Sequence, residues 1–167
     1  MTPADLQNKI MERLQEVLKD FPLRTGYNDL APFKIFKQNV PEQHMDENDY
    51  SEDKDSEKAL YPFVVVKLSN GLKEENHGTQ ENVVQLVIGI KNEDLGGKGF
   101  DDALAVMEAI MGDFNKDPLI DKRYVAKYPF SWATVEENTY PYYYVGIETM
   151  WESHTLINTN PGGFIHG

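Results

Sequence analysis

The feature that most constrains the fold is a run of two apolar strands and one amphipathic helix in residues 61–114. Residues 61–68 and 83–90 are rich in β-branched and aromatic side chains, which favour strands. After a glycine-rich turn, apolar residues recur at the spacing of one helix face, at Phe100, Ala103, Leu104, Met107, Ile110, Met111 and Phe114. Strands that are apolar on both faces predict either a central place in a sheet or a second face covered by another subunit.

The flanking residues complete an α+β pattern. Thr2, Pro3 and Asp5 are typical of a helix start, and the apolar positions that follow predict a helix over residues 3–20. Residues 33–37 predict an edge strand, and residues 129–135 and 140–152 predict two strands around a polar loop. We therefore expect one α+β domain over residues 1–154. Its mixed, mainly antiparallel sheet would carry two α-helices on one face and a C-terminal β-hairpin.

Two stretches are predicted to stay outside the packed domain. Residues 42–57 contain eight acidic side chains and one lysine, so we expect a mobile acidic loop over 42–58. This loop lacks the glycine and glutamate that a calcium-binding EF-hand needs at set positions, so no calcium site is predicted. Residues 155–167 include the sequence Asn160-Pro161-Gly162-Gly163 and predict a flexible C-terminal tail.

Charge and composition exclude several function classes. The formal net charge of −12 argues against a nucleic-acid-binding groove, which needs lysine and arginine to displace phosphate counterions. The chain has no cysteine, which excludes disulfides, thiolate zinc sites and a cysteine nucleophile. Neither a signal peptide nor an apolar run of about 20 residues is present, so no membrane partner is expected.

No pattern of residues predicts catalysis or a cofactor. The glycine-rich turn at 96–99 lacks the phosphate-loop spacings, and Asp101 and Asp102 would repel a phosphate there. Tyrosines at 140–144 could stack on nucleobases, but no lysine or arginine lies among them, so packing is the preferred interpretation. The sequence pairs none of the carboxylates on predicted elements, which are Glu108, Glu148 and Glu152. No metal pair at helical spacing is formed by the four histidines, His44, His77, His154 and His166.

Several segments, taken in order, carry a family resemblance. They read YPFVVV at 61–66, VIGI at 87–90 with NED at 92–94, GFDD at 99–102 and YPYYYVGIETMWE at 140–152. As an ordered set they resemble the tail terminator proteins, which join tail to head in long-tailed bacteriophages and prophages. The acidic loop and the C-terminal tail fall outside the resemblance.

The resemblance implies a structural virion protein without enzymatic activity. Proteins of this family form hexameric rings on the end of the tail tube, stop its polymerisation and present the surface that the head connector joins. The implied partners are other copies of the chain, the tail tube protein and a head connector or completion protein. The implied location is the virion head–tail junction, reached after assembly in the host cytoplasm. DNA would pass through the ring without specific binding, and an acidic lumen would repel its phosphates.

The two-sided strands suggest where copies of the chain meet. We predict an oligomer interface on the apolar second face of the sheet, at Phe63, Val65, Val83 and Val87. Partner contacts are expected on loops held by the sheet, at a hairpin tip over residues 69–82 with Asn70 and Gly71, and at Asn92, Glu93 and Asp94. Two alternatives stay open. One is another head–tail neck or completion protein, and the other is a carboxylate-dependent metal hydrolase.

Overall fold

A computed structural model describes residues 2–21, 24–25, 29–30, 32–41, 60–76 and 78–153. In these residues helix α1 spans Pro3–Leu18 and helix α2 spans Lys98–Lys116. The strands are β1 Arg24–Thr25, β2 Asp29–Leu30, β3 Lys34–Lys37, β4 Phe63–Lys73, β5 Gln80–Lys91, β6 Leu119–Ile120, β7 Tyr124–Thr134 and β8 Tyr142–Ser153. The predicted acidic loop, the predicted tail and all four histidines lie outside the described residues.

The main sheet has six strands in the order β3-β4-β5-β8-β7-β6. Strand β3 pairs parallel with β4, and every other neighbouring pair in this sheet is antiparallel. Strands β1 and β2 form a separate antiparallel pair. The α+β class, the edge position of β3 and the C-terminal hairpin of β7 and β8 confirm the predictions from sequence.

Both helices pack on one face of the sheet. Helix α1 begins with a capping box, in which the Asp5 N–H donates to Thr2 Oγ1 at 3.3 Å and the Thr2 N–H donates to Asp5 Oδ2 at 2.8 Å. The apolar faces of the two helices pack against the sheet residues whose side chains lie on the same face of the sheet as the helices. The largest buried side chains of this shared core include Leu6, Ile10, Leu14, Ile110, Phe114, Leu86, Ile88, Ile147 and Trp151.

One arginine ties the helices together at the end of α2. Arg13 Nε lies 2.7 Å from Asp113 Oδ2, and Arg13 Nη2 donates to the Asp113 carbonyl at 2.9 Å and to the Asp117 carbonyl. The guanidinium also lies over the Phe114 ring, 5.5 Å from its centroid. Arg13 therefore supplies a cation to the carbonyl end of α2, where the helix dipole favours one.

The β4–β5 hairpin is longer than predicted, and its tip is shorter. Asn70 pairs with Val83 and Gly71 pairs with Asn82, so both lie in the ladder and only residues 74–79 connect the strands. A register shift between Leu68 and Asn70 interrupts the alternation of side chains there. The prediction of a tip over 69–82 was wrong. Asn70 and Gly71 often form turns, but here the pairing of β4 with β5 continues through them, beyond a β-bulge.

Candidate partner-contact surface

The segments that carry the family resemblance meet at one end of the sheet. The Tyr61 ring lies 4.9 Å from the Tyr142 ring and 6.4 Å from the Tyr144 ring, measured between centroids. The hydroxyl oxygens of Tyr61 and Tyr144 are 2.6 Å apart. The first and last of these segments therefore pack against each other, although about 80 residues separate them in the chain.

Two glycines in these segments stand where aromatic rings lie directly on the backbone. A Cβ atom added at Gly89 would be 2.3 Å from Cζ of Phe63, and one added at Gly99 would be 2.4 Å from the Tyr143 ring. The second would also be 2.8 Å from Cβ of Asn92. No side chain larger than hydrogen fits at either position unless a ring moves.

The loop between β5 and α2 is held in place by side-chain hydrogen bonds. Asn92 Nδ2 donates to Asp102 Oδ2 at 3.1 Å, and Asn92 Oδ1 accepts from the Asp94 N–H at 2.9 Å. The Asn92 N–H donates to the Pro141 carbonyl at 2.9 Å, and the Tyr140 hydroxyl donates to the Glu93 carbonyl at 2.8 Å. These bonds fix the loop to the start of α2 and to the loop before β8.

The prediction that Asn92 contacts a partner is corrected by its position. Asn92 is only 3% exposed, and its side chain is engaged in the hydrogen bonds of the loop. Burial raises the pKa of the neighbouring Asp102 carboxyl above its ordinary value, and the hydrogen bond from Asn92 opposes that shift. Asn92 and Asp102 therefore shape the turn from inside.

The exposed part of this loop is a rigid apolar tip with acidic neighbours. Leu95 is 89% exposed, and Glu93 and Asp94 beside it are also exposed. The Gly96 N–H donates to Asp94 Oδ1 at 2.7 Å, which tightens the turn. We call residues 93–97 the Leu95 loop. A leucine held in solvent by a fixed loop is an apolar side chain available to a partner.

The two predicted partner-contact loops lie at different ends of the sheet. Asn70 pairs with Val83, whereas Glu93 and Asp94 follow Lys91, the last residue of the same strand β5. At about 3.3 Å per residue, Val83 and Lys91 are roughly 26 Å apart along the strand. Asn70 and Gly71 therefore belong to a different surface from the Leu95 loop, and no single small partner contact includes both.

Of the four residues in the predicted oligomer interface, two are buried within the chain and two are partly exposed. On the sheet face opposite the helices, Phe63 is 4% exposed and Val65 is 2% exposed within the single chain. Phe63 contacts the rings of Tyr61 and Phe36, at centroid distances of 5.0 and 6.1 Å. Phe63 and Val65 thus have almost no surface to offer a second copy, because packing within the chain already covers them.

Val83 and Val87 remain partly exposed, and for them the interface stays a prediction. Val87 lies in a shallow groove that crosses β5, β8 and β7. Gly146 and Ala133, which carry little or no side chain, pair across the sheet in the same row as Val87. The groove is lined by Gln85, Val87, Ser131, Trp132, Ala133, Gly146 and Glu148.

Reasoning from sequence missed an apolar edge on β7. Tyr128 and Trp132, in that strand, and Val135, just after it, are all exposed. Residues 128–135 read YPFSWATV and contain no charged residue, which is the signal that could have identified this edge. Its exposure could not be predicted because the strand order of the sheet was not known.

The three carboxylates considered for catalysis lie in different environments. Glu148 Oε2 accepts from Gln85 Nε2 at 3.0 Å, and Glu152 Oε2 lies 2.7 Å from Lys127 Nζ. Glu108 lies on the exposed side of α2. Among the described residues, no group of three or more histidine, cysteine or acidic side chains could hold a metal ion.

No protein-family model matches the chain, and no curated protein matches it significantly. In the part of the chain that the structure describes, neither helix is long and apolar enough to cross a membrane.

Proposed function

We propose that this protein is a tail terminator of a long-tailed bacteriophage or prophage. In this role it is a structural protein without catalytic activity. It caps the end of the tail tube as a ring, ends tail polymerisation and forms the joint to the head connector. It works at the head–tail junction of the virion, after assembly in the host cytoplasm.

The observation that carries the proposal is the ordered set of segments at 61–66, 87–94, 99–102 and 140–152. In the fold these segments contact one another through Tyr61, Tyr144 and Asn92. Residues that shape one packed junction are expected to occur together in proteins that share a fold. Their meeting at one end of the sheet therefore supports the resemblance as a likeness of structure.

The arrangement of exposed residues suits a ring with two working rims. The Leu95 loop lies at one end of the sheet, and the β4–β5 hairpin with the exposed Leu72 lies at the other. A protein that joins a tube to a connector needs a separate contact for each, and the two ends of one rigid sheet supply them. The net charge of −12 per chain adds a negative potential that keeps DNA phosphates from binding.

The test is the addition of the purified protein to polymerising tail tubes of the same phage or prophage, with tube lengths and ends measured by electron microscopy. We expect shorter tubes that end in a ring. A protein that binds the portal side and ignores tubes would instead be a head-completion protein, and a protein that binds neither would refute the proposal.

Matched variants separate the two rims. Leu95→Glu should abolish binding to one of the two partners. The substitution removes the large apolar side chain of the Leu95 loop and adds a third acidic residue to it. Leu72→Glu makes the same change at the opposite end of the sheet and should spare that partner. If Leu95→Glu and Leu72→Glu both bind tubes and connector like the wild type, the assignment of the rims is wrong.

A further inference from the structure

Along most of one edge of the sheet, the described residues form no covering strand. Strand β6 pairs with β7 only at Tyr124 and Val125, and the Ala126 N–H then donates to the Pro118 carbonyl at 2.8 Å. From Lys127 to Thr134, no described residue hydrogen-bonds to the backbone on the outer side of β7. Unpaired backbone donors and acceptors on a sheet edge are a template for another extended chain.

The two edges of the sheet differ in how they are protected. Edge strand β3 carries Lys34 and Lys37, and lysine on an edge strand discourages pairing with other chains. On β7, a register shift between Lys127 and Ser131, with Pro129 inside it, interrupts the first part of the edge. Regular pairing to β8 resumes at residues 131–134, which carry neither a charge nor a proline. We call residues 131–134 the open edge.

Exposed apolar side chains are concentrated on the side of the sheet formed by β7 and β6. Eight large apolar side chains are exposed among the described residues, and four of these lie on β6, on β7 or directly after β7. They are Leu119, Tyr128, Trp132 and Val135. Trp132, which is half exposed, lies within the open edge itself. Exposed aromatic side chains of this kind are the ones most often found at the centre of protein interfaces.

We propose that the open edge, with Trp132, is the surface on which a second copy of this chain binds by adding a strand to the sheet. Two copies that each carry a net charge of −12 repel one another at charged surfaces. An uncharged strip is the surface on which two such copies repel one another least, and the open edge supplies one. A basic partner would instead be drawn to the acidic surfaces elsewhere on the chain.

The inference deepens the proposed function, and it rests on that function only for the way the copies are arranged. A ring needs a head-to-tail contact, in which the open edge of one copy pairs with an extended segment of the next copy other than its open edge, because two open edges pairing with each other would close a dimer. The groove along Val87, Gly146 and Ala133 adjoins this edge, so a docked copy would also cover Val87, one of the two residues of the predicted interface that remain partly exposed. The choice of the open edge as the contact surface depends only on its unpaired backbone and its exposed side chains, and not on the proposed function.

A thiol footprint tests the surface without altering the contact strongly. The chain contains no cysteine, so Ala133→Cys and Ala105→Cys each place one thiol in the full-length protein. Both residues are exposed, but Ala105 lies on the exposed side of helix α2. The rate of maleimide labelling is measured below and above the concentration at which light scattering reports association. When about nine-tenths of the chains are associated, labelling at position 133 should slow about tenfold, while labelling at position 105 stays unchanged.

Paired charge substitutions test the same surface by disruption. Trp132→Lys should raise the dissociation constant of the assembly roughly 30-fold, since aromatic anchors carry much of the binding energy of an interface. Ala105→Lys, which places a lysine on the exposed side of α2, should change it less than about twofold. Thermal melting of dilute protein checks that each variant is folded. If Trp132→Lys does not fold, Ser131→Lys on the same edge takes its place.

The outcomes separate this inference from the proposed function. Equal labelling of position 133 in dilute and assembled protein, or normal assembly of the folded edge variants, overturns the open edge as the contact and leaves the ring in place. An assembled wild-type protein that ignores tail tubes overturns the terminator proposal and leaves the edge contact in place. A wild-type chain that never associates overturns the edge contact.

Discussion

Replacing Gly89 with alanine should destabilise the fold, because Phe63 occupies the space that the methyl group needs. The added Cβ would lie 2.3 Å from Cζ, 2.5 Å from Cε1 and 2.8 Å from Cε2 of the Phe63 ring. The ring cannot swing away freely, since it is 4% exposed and packs against Tyr61 and Phe36. Overpacking of this kind costs about 1–3 kcal/mol, and removal of a glycine from a strand returns about 0.5–1 kcal/mol. The expected net loss is about 1–2 kcal/mol.

Denaturant unfolding of the Gly89 and Phe63 variants as a double-mutant cycle measures this strain. Phe63→Ala alone should cost about 3–5 kcal/mol, as expected for a buried phenylalanine. In that background Gly89→Ala meets no ring and should stabilise the protein by about 0.5–1 kcal/mol. The coupling between the two positions is then about 2 kcal/mol. Gly112→Ala is the control, because a Cβ there has no neighbour within 4 Å, and it should stabilise α2 by about 0.5–1 kcal/mol in either background.

The result that would refute this reasoning is a Gly89→Ala cost that is the same with and without the Phe63 ring. In that case Phe63 does not lie on Gly89. The phenylalanine would then return to the oligomer interface predicted from sequence, and Phe63→Ala would weaken association without lowering the stability of the single chain.

Three further substitutions have expected outcomes. Because burial raises the pKa of Asp102, the folded state holds its proton more tightly than the unfolded chain does, and ionisation costs stability. Asp102→Asn can still accept the hydrogen bond from Asn92, so at a pH above the raised pKa of Asp102 its free energy of unfolding should exceed that of the wild type. The difference should disappear as the pH falls below the pKa of Asp102 in the unfolded chain, as measured by denaturant titration at a series of pH values. Arg13→Lys should lose about 1–2 kcal/mol in the same unfolding assay, because lysine cannot contact both the carboxylate and the carbonyl of Asp113; an unchanged midpoint would contradict this. Val87→Lys should block association in light scattering while circular dichroism stays native, and rings formed by this variant would remove the groove from the interface.

Much of the fold followed from local patterns. The capping residues Thr2 and Asp5 and the periodicity of apolar residues predicted both helices, and the β-branched runs predicted β4 and β5. These features depend on neighbours in the chain, so a single sequence contains them. Asn70 and Gly71 show the limit, because their turn preference is overridden by ladder pairing with β5.

The candidate surface was harder to predict because it depends on residues distant in sequence. Phe63 and Val65 were correctly seen as apolar on a second face, but only the fold shows that the chain itself buries them. Asn92 looked like a loop residue open to partners until its bonds to Asp94 and Asp102 were seen. The open edge of β7 exists because β8 inserts between β5 and β7, a strand order that alternation of side chains does not encode.

The most direct test of the ring is the mass of the purified wild-type protein in solution, measured by light scattering over a wide range of concentration. The measurement should be repeated at about 0.5 M salt, where charge repulsion between copies is screened beyond roughly 4 Å. We expect a mass that rises with concentration, rises sooner at high salt and stops at a closed ring, with six chains as the expected number. A mass of one chain at every concentration and at both salt levels would contradict it.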